Sequence, residues 1–185
     1  MNVKLISYSQ APQDWDYGDN VQELIAFCAR VSNPSNQMNN ETSEKLIKYL
    51  IKHAHWSPLE MVSACLEIDT TRDIAHQIVR HRSFSFQEFS QRYADPVEDM
   101  AFTIREARLQ DTTNRQNSIE TDDEDLEQQW RIQQDKVVLA ASKAYKWAIE
   151  NNIAKEQARV VLPEGLTKTR LYMNGTLRSW VHYIE

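Results

Sequence analysis

The chain is organised around the stretch Arg80-His81-Arg82-Ser83-Phe84-Ser85-Phe86-Gln87-Glu88-Phe89-Ser90-Gln91-Arg92-Tyr93. It combines three guanidiniums, an imidazole and a carboxylate with apolar neighbours that we expect to be buried. Close arginines repel one another, and near a core each requires an anionic partner or several hydrogen bonds. Because the planar guanidinium fork suits phosphate oxygens, a phosphate-bearing ligand is the natural partner. The competing interpretation is a surface network in which these arginines pair with glutamates.

The composition is that of a globular protein. At 185 residues the chain can bury a core of its own, and 41% hydrophobic with 26% charged residues excludes wholesale disorder. The net charge of −6 argues against a nucleic-acid surface that works by bulk electrostatics. A local arginine cluster in an acidic chain therefore points to a small anionic ligand.

The sequence gives little indication of a metal site, a reactive cysteine or a membrane segment. Cys28 and Cys65 have no zinc-like spacing, and each is interpreted as a buried packing residue, so we predict no metal site. Neither a signal peptide nor an apolar run of about 18 residues is found, so we expect a cytoplasmic protein without a membrane partner.

Hydrophobic periodicity predicts three short strands and six helices in this chain. The predicted strands are 3–8, 61–69 and 167–174, with a turn at Gly175. The predicted helices are 20–31, 42–53, 71–80, 126–151, 153–162 and 176–185, of which 126–151 is the longest.

Two segments have a distinct character. Residues 110–125 lack apolar periodicity and end in a run of acidic residues, which predicts a solvated polar excursion. Residues 87–93 are predicted to be extended, which would place Glu88, Ser90 and Arg92 on one side.

Arg159 is a second candidate ligand of an anion, although a snorkelling surface arginine remains an equal alternative.

Several segments in order resemble one family. Arg80-His81-Arg82, followed by Ser90 and by Arg92-Tyr93, resembles the signature of flavin-dependent thymidylate synthases. The other matching segments are Ala29-Arg30-Val31-Ser32, His55 with Ser57-Pro58-Leu59-Glu60, Gln77, Arg159-Val160-Val161-Leu162-Pro163, and Gly175-Thr176-Leu177-Arg178-Ser179-Trp180. The resemblance covers nearly the whole chain except about 100–125.

This resemblance implies an activity and an assembly. The implied reaction is the reductive methylation of dUMP to dTMP, with methylenetetrahydrofolate as carbon donor and with FAD, reduced by NADPH, as hydride carrier. The implied fold is α+β, a single domain in which helices pack on a small antiparallel or mixed sheet. The implied assembly is a homotetramer with active sites at subunit contacts. The flavin carries the demanding chemistry, so no nucleophilic cysteine is needed.

The resemblance also implies two sets of site residues. The positions implied for FAD are Ser32, His55, Ser57, Glu60, Arg80, His81, Arg82, Gln87, Arg178 and His182. Those implied for dUMP are Gln77, Glu88, Ser90, Arg92 and Arg159. Ser90 and Arg92 are expected to position the substrate, Arg92 from a neighbouring subunit, and no residue is assigned as a catalytic acid, base or nucleophile.

The chain departs from the family pattern in places. Trp56 and Met61 replace residues that are often polar, and Gln91 replaces a frequent glycine. Family members usually continue beyond Glu185 with an arginine and a His-containing helix, so the expected domain over 1–185 lacks that C-terminal segment. Two alternatives stay open: a nucleotide- or flavin-binding protein without turnover, and a nucleic-acid module, which the acidic balance opposes.

Overall fold

The computed structural model describes residues 1–17 and 20–184 and confirms the α+β class. The helices are α1 (Val21–Ala29), α2 (Ser43–Lys52), α3 (Arg72–Ile78), α4 (Glu124–Glu150), α5 (Lys155–Ala158) and α6 (Leu177–Ile184). The strands are β1 (Asn2–Tyr8), β2 (Ser63–Thr71), β3 (Ser85–Glu88), β4 (Arg108–Gln110), β5 (Ser118–Glu120) and β6 (Lys168–Thr176). Short helical turns lie at Pro34–Asn36, Ser57–Glu60, Pro96–Met100 and Arg159–Val161.

The chain forms two compact units. Unit A contains residues 69–78 and 88–170, and unit B contains 2–68, 79–87 and 171–184. A four-stranded sheet has the order β1-β2-β6-β3, and β4 pairs with β5 in a separate hairpin. No helix of the described chain combines the length and the apolar character that crossing a membrane requires.

In unit B, helix α1 begins as its sequence predicts. The side chain of Asn20 accepts from the backbone N–H of Glu23 at 3.0 Å, and Glu23 accepts in return from the N–H of Asn20. This capping box satisfies two donors that the first turn of a helix leaves free. Helix α1 packs against α2 and against the turn Ser57–Glu60, which α6 also contacts, around buried Ile25 and Leu59.

In unit A, the predicted long helix is present as α4. Asp123 caps it by accepting from the N–H of Leu126 at 2.9 Å, which explains why it begins before residue 126. Only the C-terminal half of its apolar stripe is buried: Tyr145 and Ala148 form a core cluster with Ala158 and Leu162. The stripe residues of the first half, Leu126, Trp130 and Val137, are exposed in this chain.

A hairpin formed by β4 and β5 overlaps residues 110–125, which were predicted as a polar excursion. Leu109 pairs with Ile119 in the antiparallel β4–β5 ladder, and every residue of both strands is exposed. Asp111 closes the turn, and the backbone N–H of Asn114, with further donors on Thr113 and Asn117, holds the pKa of its carboxyl well below the usual range.

Three predictions about local structure are wrong. Strand β3 ends at Glu88, because the backbone turns where the carbonyl of Ser90 accepts from the N–H groups of Tyr93 and Ala94, both at 3.1 Å. Side-chain alternation therefore does not extend from Glu88 to Arg92. Gly175 lies within β6 rather than in a turn, and the helix predicted over 153–162 divides into α5 and the turn Arg159–Val161.

Gly175 is required by a close approach between elements of unit B. A Cβ atom built at this position would lie 2.6 Å from Cε1 of Phe84, closer than real carbon atoms approach. Strand β6 therefore accommodates the buried ring of Phe84 only because residue 175 has no side chain.

Candidate functional site

The triplet Arg80-His81-Arg82 lies between α3 and β3, and all three side chains are exposed. The guanidiniums of Arg80, Arg82 and Arg92 have no hydrogen-bond or ion-pair partner among residues 1–17 and 20–184. The alternative predicted from the sequence, a surface network between these arginines and glutamates, is not found among the residues that the structure describes. Exposed Arg115 also lacks a side-chain partner, so what distinguishes the three is their clustering between residues 80 and 92.

The backbone that carries the triplet is anchored to α6 within unit B. The ring of Phe84 packs edge-on against Trp180, with centroids 4.7 Å apart, and Ser179 Oγ donates to the carbonyl of Ser83 at 3.0 Å. Tyr183 contacts the imidazole of His81, with the ring centroids 4.8 Å apart. The charged groups thus project into solvent from a fixed backbone.

A second group of predicted flavin positions lies where α6 meets the turn Ser57–Glu60. The carboxylate of Glu60 accepts from Nη1 of Arg178, and both side chains are about half exposed. Trp56 packs against the ring of His182, with centroids 4.4 Å apart. Trp56, a departure from the family pattern, therefore restrains the ring of His182, another predicted flavin residue.

The remaining flavin positions are exposed. Ser32 follows α1, His55 precedes the Ser57–Glu60 turn, and Gln87 lies in β3. Buried Arg30 holds the loop after α1 by donating to Tyr17 Oη at 3.1 Å and to Thr42 Oγ1 at 2.9 Å. The Ala29-Arg30-Val31-Ser32 match therefore includes one arginine whose contacts are with the protein itself.

The predicted substrate positions all belong to unit A, whereas the predicted flavin positions all belong to unit B. Gln77 is exposed near the end of α3, and Ser90 Oγ accepts from the backbone N–H of Arg92 at 3.4 Å. Arg159 Nε donates to the carbonyl of Glu156 at 3.2 Å, so part of this guanidinium is used by the turn that carries it. The substitution Gln91 is buried, unlike the neighbouring Arg92.

Glu88 is the substrate candidate with the most protein contacts. Its Oε1 accepts from Arg72 Nη1 at 2.7 Å and from Thr169 Oγ1 at 2.9 Å. Sequence analysis missed Arg72, because nothing local links residue 72 to residue 88. The only local signal is that Arg72 and His76 share one face of α3 at i and i+4.

The cysteines are less buried than predicted, since both are of intermediate exposure. Burial still raises the pKa of the Cys28 thiol, which disfavours the thiolate that a nucleophile requires. Within the described residues, no three His, Cys, Asp or Glu side chains come together as metal ligands.

Comparisons with known proteins identify the family. Residues 15–185 match the family described as thymidylate synthase complementing protein. The chain is 49% identical over 186 residues to the probable flavin-dependent thymidylate synthase of Paramecium bursaria Chlorella virus 1. This alignment covers 100% of this chain and 83% of the relative. It is 50% identical over 162 residues to the flavin-dependent thymidylate synthase of Synechocystis, and this alignment covers 88% of this chain and 73% of that protein.

A solved structure agrees with these sequence matches. The UMP/dUMP methylase PolB from Streptomyces cacaoi, crystallised with 5-Br UMP, superposes with a TM-score of 0.77 at 25% identity, and the match covers 99% of this chain and 74% of PolB. The signature at residues 80–93, the sequence matches and the shared fold agree: the chain belongs to the family of flavin-dependent thymidylate synthases.

Proposed function

We propose that this chain catalyses the reductive methylation of dUMP to dTMP, with methylenetetrahydrofolate as carbon donor, FAD as hydride carrier and NADPH as reductant. The support from relatives is that two of them, about half identical to the chain, are named flavin-dependent thymidylate synthases. The observation that carries the proposal is the set of exposed guanidiniums at Arg80, Arg82 and Arg92, which have no partner within the described chain. Both FAD and dUMP carry the phosphates that such groups bind.

The residues of unit B fit a flavin dinucleotide. Arg80 and Arg82 offer planar donor forks to its phosphates, and neither fork must first break a contact within the described chain. The ring of His81 is restrained by Tyr183, so its donor or acceptor is directed without a further loss of rotamer freedom. When bound, FAD supplies the hydride chemistry that amino-acid side chains lack.

The pair Glu60–Arg178 has a different role in this proposal. Its two charges compensate each other, so the pair offers a ligand hydrogen-bonding groups without adding net charge. The remaining donors of Arg178 and the second oxygen of Glu60 are suited to the polar edge of a flavin ring, which has both donors and acceptors.

The residues of unit A fit a nucleotide monophosphate. Arg92 and Arg159 provide positive charge for one phosphate, and Arg92 is expected to act from a neighbouring subunit. Glu88 is an acceptor for a ribose hydroxyl or a base N–H, and the amide of Gln77 both donates and accepts. Ser90 is assigned to hydrogen bonding rather than attack, because the hydroxyl has no base among its contacts and accepts from a backbone N–H.

We include a homotetramer in the proposal. Large apolar side chains are exposed along α4, including Leu139 and Trp147, and along β1 at the edge of the sheet, including Val3 and Leu5. Exposed apolar surface of this kind is typical of contacts between proteins. Light scattering during size exclusion should give four times the chain mass of 21.7 kDa, and a single-chain mass would contradict the assembly.

Two measurements test the activity. After incubation with FAD, the purified chain should retain a bound-flavin absorbance spectrum; a protein that never acquires one contradicts the proposal. With dUMP tritiated at carbon 5, methylenetetrahydrofolate and NADPH, it should then release tritium to water. Bound flavin and bound dUMP without tritium release would instead identify a binding protein without turnover.

A further inference from the structure

Arg72, the first residue of α3, holds the carboxylate of Glu88. Its Nη1 lies 2.7 Å from Glu88 Oε1, and the side chains are 13% and 20% exposed. By comparison, the nearby pair Arg105–Asp73 in the same unit is 41% and 34% exposed. Because water competes less for buried charges, the Arg72–Glu88 contact restricts its carboxylate more strongly than a surface pair does.

The contact uses only one oxygen of Glu88. Thr169, which is fully buried, donates to the same Oε1 at 2.9 Å. Oε2 receives no hydrogen bond from any residue that the structure describes. A carboxylate has lone pairs on both oxygens, so Oε2 is an oriented acceptor whose direction is set by the two donors on Oε1.

The opposite side of the guanidinium is held by His76. Nη2 of Arg72 lies 3.0 Å from His76 Nε2, and because a guanidinium only donates, Nε2 is the acceptor. His76 Nδ1 lies 3.1 Å from a carboxylate oxygen of Glu164 on the other side of the imidazole. Arg72 is therefore held from both ends, one of them on Glu88.

The arrangement does not maximise stability. Nε of Arg72 is buried without a partner in the described chain, and a buried donor without a partner is unfavourable. The guanidinium of Arg72 is instead oriented so that Nη1 faces Glu88.

We propose that Arg72 is a positioning residue for nucleotide recognition: together with Thr169 it fixes Glu88 so that Oε2 accepts from a hydroxyl or N–H group of dUMP. This inference rests on the proposed function, because it requires that Glu88 contacts the nucleotide. Arg72 itself does not touch dUMP and acts through Glu88.

A double-mutant cycle tests the inference by titration of the FAD-loaded chain with dUMP. Arg72→Met and Glu88→Gln should each weaken dUMP binding about tenfold, the effect of a lost hydrogen bond to a charged group. The double variant should also lose about tenfold, rather than the roughly hundredfold that independent effects would give. The double variant also removes the unpaired buried carboxylate that could prevent Arg72→Met from folding.

Two further variants separate positioning from general stability. Arg72→Lys keeps the charge and should restore part of the affinity. Arg105→Met removes an arginine of unit A that pairs with Asp73 and should lower the melting temperature without changing dUMP affinity. FAD affinity should be native in all the variants.

The outcomes that overturn the inference differ from those that overturn the function. Native affinity in Arg72→Met, or multiplied losses in the double variant, overturns the role of Arg72 alone. If the native chain binds FAD but no dUMP, the proposed function fails and the inference fails with it.

Discussion

Replacing Arg92 by alanine provides the sharpest test of how the arginines are divided between two ligands. The guanidinium of Arg92 is exposed and contacts no side chain of the described protein. Its removal therefore breaks no contact within unit A. A surface substitution of this kind changes the free energy of unfolding by less than about 0.5 kcal/mol, so the melting temperature should be native.

The effect on dUMP should be much larger. If Arg92 binds the nucleotide phosphate, Arg92→Ala removes a hydrogen bond between charged groups, which contributes about 1 to 3 kcal/mol of binding free energy. This range corresponds to roughly 5- to 150-fold weaker dUMP binding. FAD affinity should be unchanged, because all predicted flavin residues belong to unit B and Arg92 belongs to unit A.

The assay is calorimetric titration with dUMP alongside flavin fluorescence titration with FAD. Arg115→Ala is the matched control, since Arg115 is another exposed arginine of unit A without a side-chain partner, and it should change neither affinity. Arg82→Ala should give the reverse pattern, with weaker FAD and native dUMP binding. Equal losses of both ligands in Arg92→Ala would refute the division of the arginines.

Three further results are expected. Gly175→Ala should lower the free energy of unfolding by about 1 to 3 kcal/mol in urea denaturation, because the added carbon overlaps an aromatic ring; Gly165→Ala, whose nearest new contact is an ordinary 3.9 Å, is the control. Replacing both cysteines by serine should leave tritium release at the native level, since burial raises the pKa of Cys28 and no thiolate is needed. Asp111 is held at low pKa by the N–H of Asn114 and its neighbours, so its contribution to hairpin stability should be present above about pH 4 and lost as pH falls further; an NMR titration of its carboxyl at an ordinary pKa would contradict this.

The sequence predicted those parts of the fold whose causes are local. The capping residues Asn20 and Glu23 lie three positions apart, and the long helix has neither Pro nor Gly inside it, so both helices could be read from neighbouring residues. Gly175 was misread because glycine usually indicates a turn, whereas here it admits a ring that is distant in sequence. The turn at Ser90 was misread because backbone hydrogen bonds decided its conformation rather than side-chain alternation.

The residues of the candidate site were likewise predictable from the sequence only where their signal is local. The arginine triplet was found because its members are adjacent and their density requires an explanation. Arg72 was not found because its significance depends on Glu88 and Thr169, which come near it only in the folded chain. Local patterns therefore indicate which side chains are candidates to bind a ligand, whereas the residues that orient those side chains emerge from tertiary contacts.

The arginines of this chain fall into two classes that composition alone does not separate. Arg30, Arg72 and Arg105 each donate to two or more protein groups. The guanidinium of Arg105, for example, donates to Thr71, to Asp73 and to the carbonyl of Gly165. The guanidiniums of Arg80, Arg82 and Arg92 contact no described side chain, although the chain has six more acidic than basic residues. In a protein with spare carboxylates, clustered arginines without partners keep their donors free for a ligand. Loss of Arg30 or Arg105 should therefore lower stability, and loss of Arg80, Arg82 or Arg92 should lower ligand affinity alone. Arg72 should do both, because it acts on the nucleotide only through Glu88.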